Sequence, residues 1–287
     1  MTLDGLFRSG QAQLEEAGVA DAGLDAWYLL EYIFHIDRAH FFLERYEAAA
    51  DADRAALYRE LVRRRASGIP LQYITGKAYF MGLEFEVNES VLIPRQDTET
   101  LVETALKLLE GRSASAVLDM CTGSGCIIIS LARMTELSRA VGADISAEAV
   151  KTALRNARKL APGRADFVIS DMFENIDGRY DMIVSNPPYI RAGDIPHLMR
   201  EVRCNEPGLA LDGGADGLDF YRVLSAESGR FLNDGGWLVM ETGYDQAEDV
   251  TELMRRAGLR AITVIKDLSG NDRVAAGQKI SDCAAGA

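Results

Sequence analysis

No apolar run in this sequence approaches the length of a bilayer span. Stretches such as Cys126 to Ala132 and Trp237 to Met240 fall far short of the roughly 20 residues a spanning helix needs, so a transmembrane helix is excluded. The four cysteines (Cys121, Cys126, Cys204 and Cys283) form no CxxC pair and have no histidine at metal-ligand spacing. Neither a disulfide framework nor a zinc site is expected, and a reducing cytoplasm is the expected setting. Positive charge is in deficit: 31 Lys and Arg stand against 44 Asp and Glu, a net charge of −13 with a pI near 4.8. Such a chain repels polyanions unless a local basic patch intervenes, so direct nucleic-acid binding is not expected. The deficit is shared, with eight basic against twelve acidic residues through Thr75 and 23 against 32 beyond it. The opening MTLDGLFRSGQ has no apolar h-region and carries Asp4, and Asp21 and Asp25 follow where a transit peptide avoids acids, so neither secretion nor organelle import is expected. His35, His40 and His197 are scattered and read as surface or packing residues. No internal repeat is visible.

What is present is ordinary globular composition, 48% hydrophobic and 26% charged over 287 residues, enough for a large domain and a small one. Residues 1–75 read as a helical bundle. Leu3, Phe7, Gly10, Leu14 and Ala17 mark one face, and Trp27, Leu30, Ile33 and Phe34 another. A further helix, Ala52 to Ala66, ends in Arg63, Arg64 and Arg65, cations that suit the negative helix C-terminus and read as a solvated end. Leu83, Phe85 and Val87 alternate toward a turn at Asn88-Glu89, and Val91, Leu92 and Ile93 return before Pro94, so residues 76–95 read as a linking β-hairpin. Residues 96–287 then alternate. Strands are expected at 116–120, 140–145, 167–170, 181–185, 237–241, 261–265 and 273–277, with helices near 97–110, 126–135, 147–159, 216–232 and 245–257. Only a Leu-Ser-Gly-Asn-Asp turn separates the last two strands, so they should pair antiparallel. The expectation is α/β: a methyltransferase-type Rossmann fold whose seven-stranded, mostly parallel sheet ends in an antiparallel hairpin.

The first strand of that alternation runs Val117-Leu118-Asp119 into Met120-Cys121-Thr122-Gly123-Ser124-Gly125. Glycines after a first strand let a ligand approach the backbone at the carboxyl ends of the strands, where doubly wound sheets bind. Asp144 ends the second strand about 20 residues on, where a carboxylate accepts both ribose hydroxyl protons. These two features suit NAD and S-adenosylmethionine alike.

The fourth strand makes the distinction, running Asp181 to Ser185 into Asn186-Pro187-Pro188-Tyr189. Two prolines fix φ near −65° and donate no N–H, so carbonyls here are held as free acceptors. A rigid acceptor loop matters when the methyl acceptor is a planar amide or aryl amine, whose nitrogen lone pair is delocalised. Accepting both N–H protons, one by the Asn186 oxygen and one by the Pro187 carbonyl, lets that lone pair localise toward the methyl donor, and Tyr189 is placed to stack on the planar group. No strong base is needed, because the nitrogen proton becomes acidic once methylated. Orientation supplies effective molarities of about 10⁵ to 10⁸ M, against factors of roughly 10² to 10⁴ from a general base.

In these motifs the chain resembles the peptide chain release factor glutamine methyltransferases over nearly its whole length. Gly68 to Gly76 resembles the family's interdomain segment, and Pro94-Arg95-Gln96-Asp97-Thr98-Glu99 its Pro-Arg-x-x-Thr-Glu signature. Asn186 to Tyr189, Glu206-Pro207, Leu209-Ala210-Leu211, Gly213 to Gly217 and Lys266 to Arg273 follow in the expected order. The resemblance implies methyl transfer from S-adenosylmethionine, without a metal, to the side-chain amide N5 of the glutamine in the Gly-Gly-Gln loop of class 1 release factors. Such a chain is expected to act as a cytoplasmic monomer whose N-terminal bundle docks the release factor. By position, the resemblance puts the cofactor at Asp119, Cys121, Thr122, Gly123, Ser124, Gly125, Asp144, Asp171, Met172 and Asn186, and the substrate amide at Asn186, Pro187, Pro188 and Tyr189. Arg95, Thr98 and Glu99 either hold the methionine end of the cofactor or cap a helix. One departure stands out: the family usually has glycine where Cys121 stands, which is a strain if φ is positive there.

Three other readings stay open at this level. Methylation of an exocyclic amine of N6-adenine type uses the same acceptor loop. A nicotinamide dehydrogenase lacks support from a full G-x-G-x-x-G and leaves Asn186 to Tyr189 unexplained. A non-catalytic binding module would hold cofactor without turnover.

Overall fold

The computed structural model describes residues 1–46, 51–112 and 114–280; Cys283 lies outside them. Two compact units emerge, Met1–Lys77 with Met199–Asn205, and Ala78–Leu198 with Glu206–Ala287. The segment 199–205, assigned from the sequence to the second domain, therefore groups with the first unit.

The first unit contains helices α1 (Leu3–Glu16), α2 (Ala22–Phe34), α3 (Arg38–Glu44), α4 (Ala52–Ala66) and α5 (Leu71–Thr75), and the short helix Arg200–Asn205. Thr2 caps α1 by accepting from Gly5 N, and Asp51 caps α4 by accepting from Asp53 N and Arg54 N, satisfying amides that have no partner within the helix. Leu6, Leu14, Leu29, Leu30 and Tyr58 are completely buried. On α1 the inward stripe is Leu3, Leu6, Gly10 and Leu14; Phe7 is half-buried, and Ala17 is exposed because it is the residue that ends the helix. The expected face of α2, Trp27, Leu30, Ile33 and Phe34, is buried throughout.

Arg65 departs from the solvated helix end read from the sequence, being 9% exposed. Its Nε donates to Asp25 Oδ2 at 2.6 Å, and its Nη1 to Glu201 Oε2 at 2.6 Å and to the Ile69 carbonyl at 3.3 Å. Burial pushes the Asp25 carboxyl upward while Arg65 pulls it down. A buried guanidinium shared between two carboxylates and a carbonyl holds its neighbours in one arrangement, and deleting it leaves the buried Asp25 without its cation.

The second unit opens with a hairpin different from the one expected. Strands β1 (Lys77–Phe80) and β2 (Leu83–Glu86) pair with each other around Met81 and Gly82, which both have positive φ (49° and 72°), as a two-residue hairpin turn demands. Residues 91–93 form no strand, although Val91 and Ile93 are buried. Alternation identified β2 as a strand, but its partner is β1 and not the expected 91–93. Asn156 fixes the hairpin to the domain: its Oδ1 accepts from Glu86 N at 2.7 Å, and its Nδ2 donates to the Glu86 carbonyl at 3.0 Å and the Ser124 carbonyl at 2.9 Å.

Next come α6 (Glu99–Leu109), β3 (Ser115–Met120), α7 (Cys126–Met134), β4 (Leu137–Asp144), α8 (Ala147–Leu160), β5 (Asp166–Ile169), β6 (Tyr180–Ser185) and, after helix Asp219–Phe231, β7 (Leu232–Glu241). Helix Ala247–Arg256 leads to β8 (Arg260–Lys266) and β9 (Asp272–Gln278). The seven strands lie in the order β5-β4-β3-β6-β7-β9-β8. β3 to β7 pair parallel, and β9 runs antiparallel to both β7 and β8. Each face carries its own core. Ile127, Ile128 and Leu131 of α7 join Leu101 and Val102 of α6 on one side, and Tyr221, Leu224, Val250 and Met254 cover the other. Burial on both faces is why the central strands read as unbroken apolar runs. This is the α/β methyltransferase fold that the alternation predicts. No helix among the described residues is long and apolar enough to cross a membrane.

Replacing Arg65 by Ala should lower unfolding free energy by about 3 kcal/mol, read by urea titration; a loss under about 1 kcal/mol would show that the buried pairs contribute little.

Candidate active site

The chain order β3, β4, β5 proceeds to one side of β3 and then returns to place β6 on the other. Loops leaving β3 and β6 therefore diverge and leave a crevice at their carboxyl ends. The two strands are in register, Met120 opposite Ser185, and Ser185 Oγ donates to the Met120 carbonyl at 2.7 Å. A cleft of about 200 Å³ opens there. Its lining brings together Cys121, Thr122, Gly123, Ser124, Asp144, Asp171, Met172, Asn186 and Pro188 from the predicted set, with Arg95 and Thr98.

On the β3 side the loop before α7 folds back over the sheet. Thr122 N donates to the Ala143 carbonyl at 2.9 Å, and Gly125 N to the Thr122 carbonyl at 2.8 Å. Cys121 takes φ 62°, the left-handed conformation that the family's usual glycine adopts freely and a side chain resists. Its half-buried thiol is pushed upward by desolvation and the carboxylates of Asp144 and Asp119, so it stays protonated. Cys126, as expected, is a small buried residue, its thiol raised by burial to about 12. Asp144 accepts from Gly123 N through Oδ2 and from Ser146 N through Oδ1, each at 2.9 Å. A carboxylate has about four acceptor positions, so two remain after these bonds. Burial raises Asp144, and the two N–H groups oppose the rise. Met172 also has positive φ, 43°, while Ser170 Oγ donates to its carbonyl at 2.7 Å.

Asp119 is placed differently from the cofactor contact expected of it. It is completely buried behind the loop, where Oδ2 accepts from Thr122 Oγ1 at 2.6 Å and from Ile128 N at 3.3 Å. Burial lifts its carboxyl to about 7. It shapes the loop from beneath. Gly125, Pro187 and Tyr189 are likewise not among the residues that line the cleft.

On the β6 side, Asn186 Nδ2 donates to Thr98 Oγ1 at 3.1 Å. That bond takes one of the two N–H groups of the amide, and Asn186 Oδ1 has no hydrogen-bond partner among the described residues. Pro187 and Pro188 are buried. The Tyr189 ring packs on the core, and its hydroxyl reaches Glu241 Oε1 at 3.4 Å instead of facing a ligand. The loop is braced from behind by Gly213 to Gly217. Gly213 N donates to the Ile190 carbonyl at 2.9 Å and Ile190 N to the Leu211 carbonyl at 3.0 Å. A Cβ at Gly213 would lie 2.7 Å from Tyr189 Cα, so only glycine permits that approach. Gln246 Nε2 adds a bond to the Tyr189 carbonyl at 3.0 Å.

The Pro-Arg-x-x-Thr-Glu residues divide. Arg95 lines the cleft and is ion-paired with the buried Glu206. Thr98 is buried against Asn186, and Glu99 Oε1 accepts from Met81 N at 2.6 Å, holding the hairpin. All three histidines are exposed. Sequence reasoning missed Phe220, which lines the cleft from a helix that reads as cover for the sheet.

Family models match the chain in two places, the PrmC N-terminal domain over residues 6–76 and the methyltransferase small domain over residues 96–202. The release factor glutamine methyltransferase of Geobacter sulfurreducens is 43% identical over 266 residues, 92% of either chain. The chain belongs to the release factor glutamine methyltransferase family. Its counterpart in Agrobacterium fabrum is 40% identical over 271 residues, 93% of either chain. A solved methyltransferase from Pyrococcus furiosus superposes with a TM-score of 0.51 at 18% identity, over 70% of this chain and 91% of that one, a likeness of fold.

A release factor glutamine methyltransferase uses S-adenosylmethionine, and the residues present fit it. Asp144 keeps acceptor positions for ribose hydroxyls. Ile127, Ile145, Met172 and Phe220 supply apolar wall for an adenine ring. Nothing lies within 4 Å of where a Cβ on Gly123 would be, so the backbone there stands open to a ligand. No cluster of metal-ligating side chains occurs among the described residues.

Glycine at position 121 would relieve about 1–2 kcal/mol of left-handed strain against roughly 0.5–1 kcal/mol of added unfolded-state freedom. Cys121→Gly should therefore raise stability by about 1 kcal/mol or less and change cofactor affinity by less than about a hundredfold, read by calorimetric titration. A larger gain in affinity would show the cysteine loop to be badly compromised.

Proposed function

We propose that this protein transfers a methyl group from S-adenosylmethionine to the side-chain amide nitrogen of the glutamine in the Gly-Gly-Gln motif of class 1 peptide chain release factors, modulating translation termination in the cytoplasm. The observation that carries this reading is the Asn186 amide on the cleft wall, whose NH2 gives one N–H to Thr98 while its oxygen has no hydrogen-bond partner among the described residues. Membership of a family whose relatives are named for this reaction supports it.

Bound S-adenosylmethionine supplies an electrophilic sulfonium methyl, so transfer breaks an S–C bond, forms an N–C bond and releases one amide proton to solvent. Asp144 and the loop of Thr122 to Ser124 hold the adenosyl part, with Asp171 and Met172 beside them. Asn186 Oδ1 accepts one N–H of the incoming amide, and a carbonyl of the Asn186 to Pro188 turn, which lines the cleft at Asn186 and Pro188, accepts the other. The amide nitrogen is then turned toward the donor with its lone pair less committed to the carbonyl. Pro188 and the braced Tyr189 keep these acceptors in place, and orientation is the main lever. Methylation of a nucleic-acid amine would use the same acceptors, but the relatives' names and the acidic chain do not favour it.

In this reading residues 76–95 link, residues 96–287 catalyse, and residues 1–75 dock the release factor, raising the effective concentration of its short glutamine loop. Phe42, Leu43 and Tyr46 are exposed large apolar side chains on the first unit. Arg45 lies over the Phe42 and Tyr46 rings at 5.0 and 4.6 Å.

Mass spectrometry of unmethylated release factor incubated with enzyme and S-adenosylmethionine should show one methyl on the Gly-Gly-Gln glutamine. Asn186→Ala should keep cofactor affinity and lose about 100-fold or more in kcat; label on nucleic acid alone would sink the reading. The Phe42→Ser/Leu43→Ser double variant should raise KM for intact release factor severalfold and leave a short Gly-Gly-Gln peptide unaffected. Equal effects on both would argue against docking by this surface.

A further inference from the structure

Asn156 of α8 is not among the residues that line the cleft, and its side chain is completely buried. Its amide nevertheless reaches two of the segments that do. Nδ2 donates to the Ser124 carbonyl of the loop after β3 at 2.9 Å. Nδ2 also donates to the Glu86 carbonyl at 3.0 Å, and Oδ1 accepts from Glu86 N at 2.7 Å. Glu86 ends β2, and the chain that follows supplies Ser90, Val91, Leu92, Pro94 and Arg95 to the cleft lining. One turn earlier on the same face of α8, Thr152 Oγ1 accepts from Asn88 Nδ2 at 3.0 Å, and Asn88 Oδ1 accepts from Ser90 N at 2.9 Å.

These bonds use both ends of the Asn156 amide. Each N–H goes to a carbonyl and the oxygen takes an N–H; turned over, the group would set NH2 against Glu86 N–H and its oxygen against two carbonyls. Ser124 stands between Gly123 and Gly125, which have φ 56° and 79°. Glycine on either side widens the torsional freedom of the chain there, and a bond from α8 to the Ser124 carbonyl takes that freedom away.

We propose that Asn156 is a positioning residue for the cofactor. By bonding Ser124 and Glu86 through one amide, it holds the loop after β3 and the segment leading into residues 90–95 at a fixed spacing, and so sets affinity for S-adenosylmethionine from behind the cleft lining. A loop ordered beforehand spares the incoming cofactor the cost of ordering it. The loss of such an effect falls on binding and leaves turnover at saturating cofactor intact. The proposal rests on the family's use of S-adenosylmethionine and not on which nitrogen receives the methyl.

The test compares wild type with Asn156→Leu, Asn156→Ser and Lys159→Ala. The last removes an exposed tie between α8 and the same hairpin, Lys159 Nζ to Glu84 Oε1 at 2.9 Å, without reaching Ser124. Kd for S-adenosylhomocysteine is read by calorimetric titration, KM for S-adenosylmethionine and kcat on a Gly-Gly-Gln peptide, and backbone hydrogen exchange by mass spectrometry. Both Asn156 variants should weaken Kd and raise KM about 10-fold with kcat little changed. Exchange should quicken over residues 121–125 and not along β3 and β6. Lys159→Ala should leave Kd as it is. Asn156→Ser carries the test if Asn156→Leu does not fold. An unchanged Kd in the Asn156 variants, a loss confined to kcat, or exchange that quickens evenly across the domain would overturn the proposal. If the peptide is not methylated, Kd and exchange still decide, so a failure of the substrate reading is seen separately.

Discussion

The geometry of the cleft depends on one register. β3 and β6 lie side by side with Met120 opposite Ser185, so the next residue on each strand, Cys121 on one and Asn186 on the other, leaves the sheet at the same level. The bond from Ser185 Oγ to the Met120 carbonyl pins the two ends together. A slip of one residue would turn every side chain of β6 to the opposite face, and both cores forbid it: Met182 and Val184 belong to one, Ile183 to the other. Packing far from the cleft thus decides where the loops after β3 and β6 begin.

The same logic explains how the acceptor loop stays rigid without regular structure. The prolines restrict its φ angles, but rigidity in space comes from contacts about 25 residues further along the chain. Ile190 bridges to Asp212, and Gly213 closes on Tyr189 where any side chain would collide. The glycines of that segment brace the β6 side of the cleft without lining it.

Much of this was legible in the sequence, and the exceptions have physical causes. Buried parallel strands must be apolar on both faces, so the alternation in residues 96–287 predicted the sheet and its antiparallel end. The linking hairpin was misplaced because the alternation of Leu83, Phe85 and Val87 identifies a strand without naming its partner. Arg65 read as a solvated cation because Asp25 and Glu201, its partners, lie 40 and 136 residues away. Asp119 read as a ligand for the cofactor because it precedes the glycines, whereas it bonds the loop from beneath. Thr98 read as a possible helix cap, and only three dimensions bring it to Asn186.

The loop after β3 keeps its left-handed turn at Cys121 without the residue that usually makes it. Backbone shape there has outlived side-chain identity. A search pattern that insists on glycine at that position would pass over this chain, and over any cousin that made the same replacement, although the fold, Asp144 and Asn186 to Tyr189 are all in place.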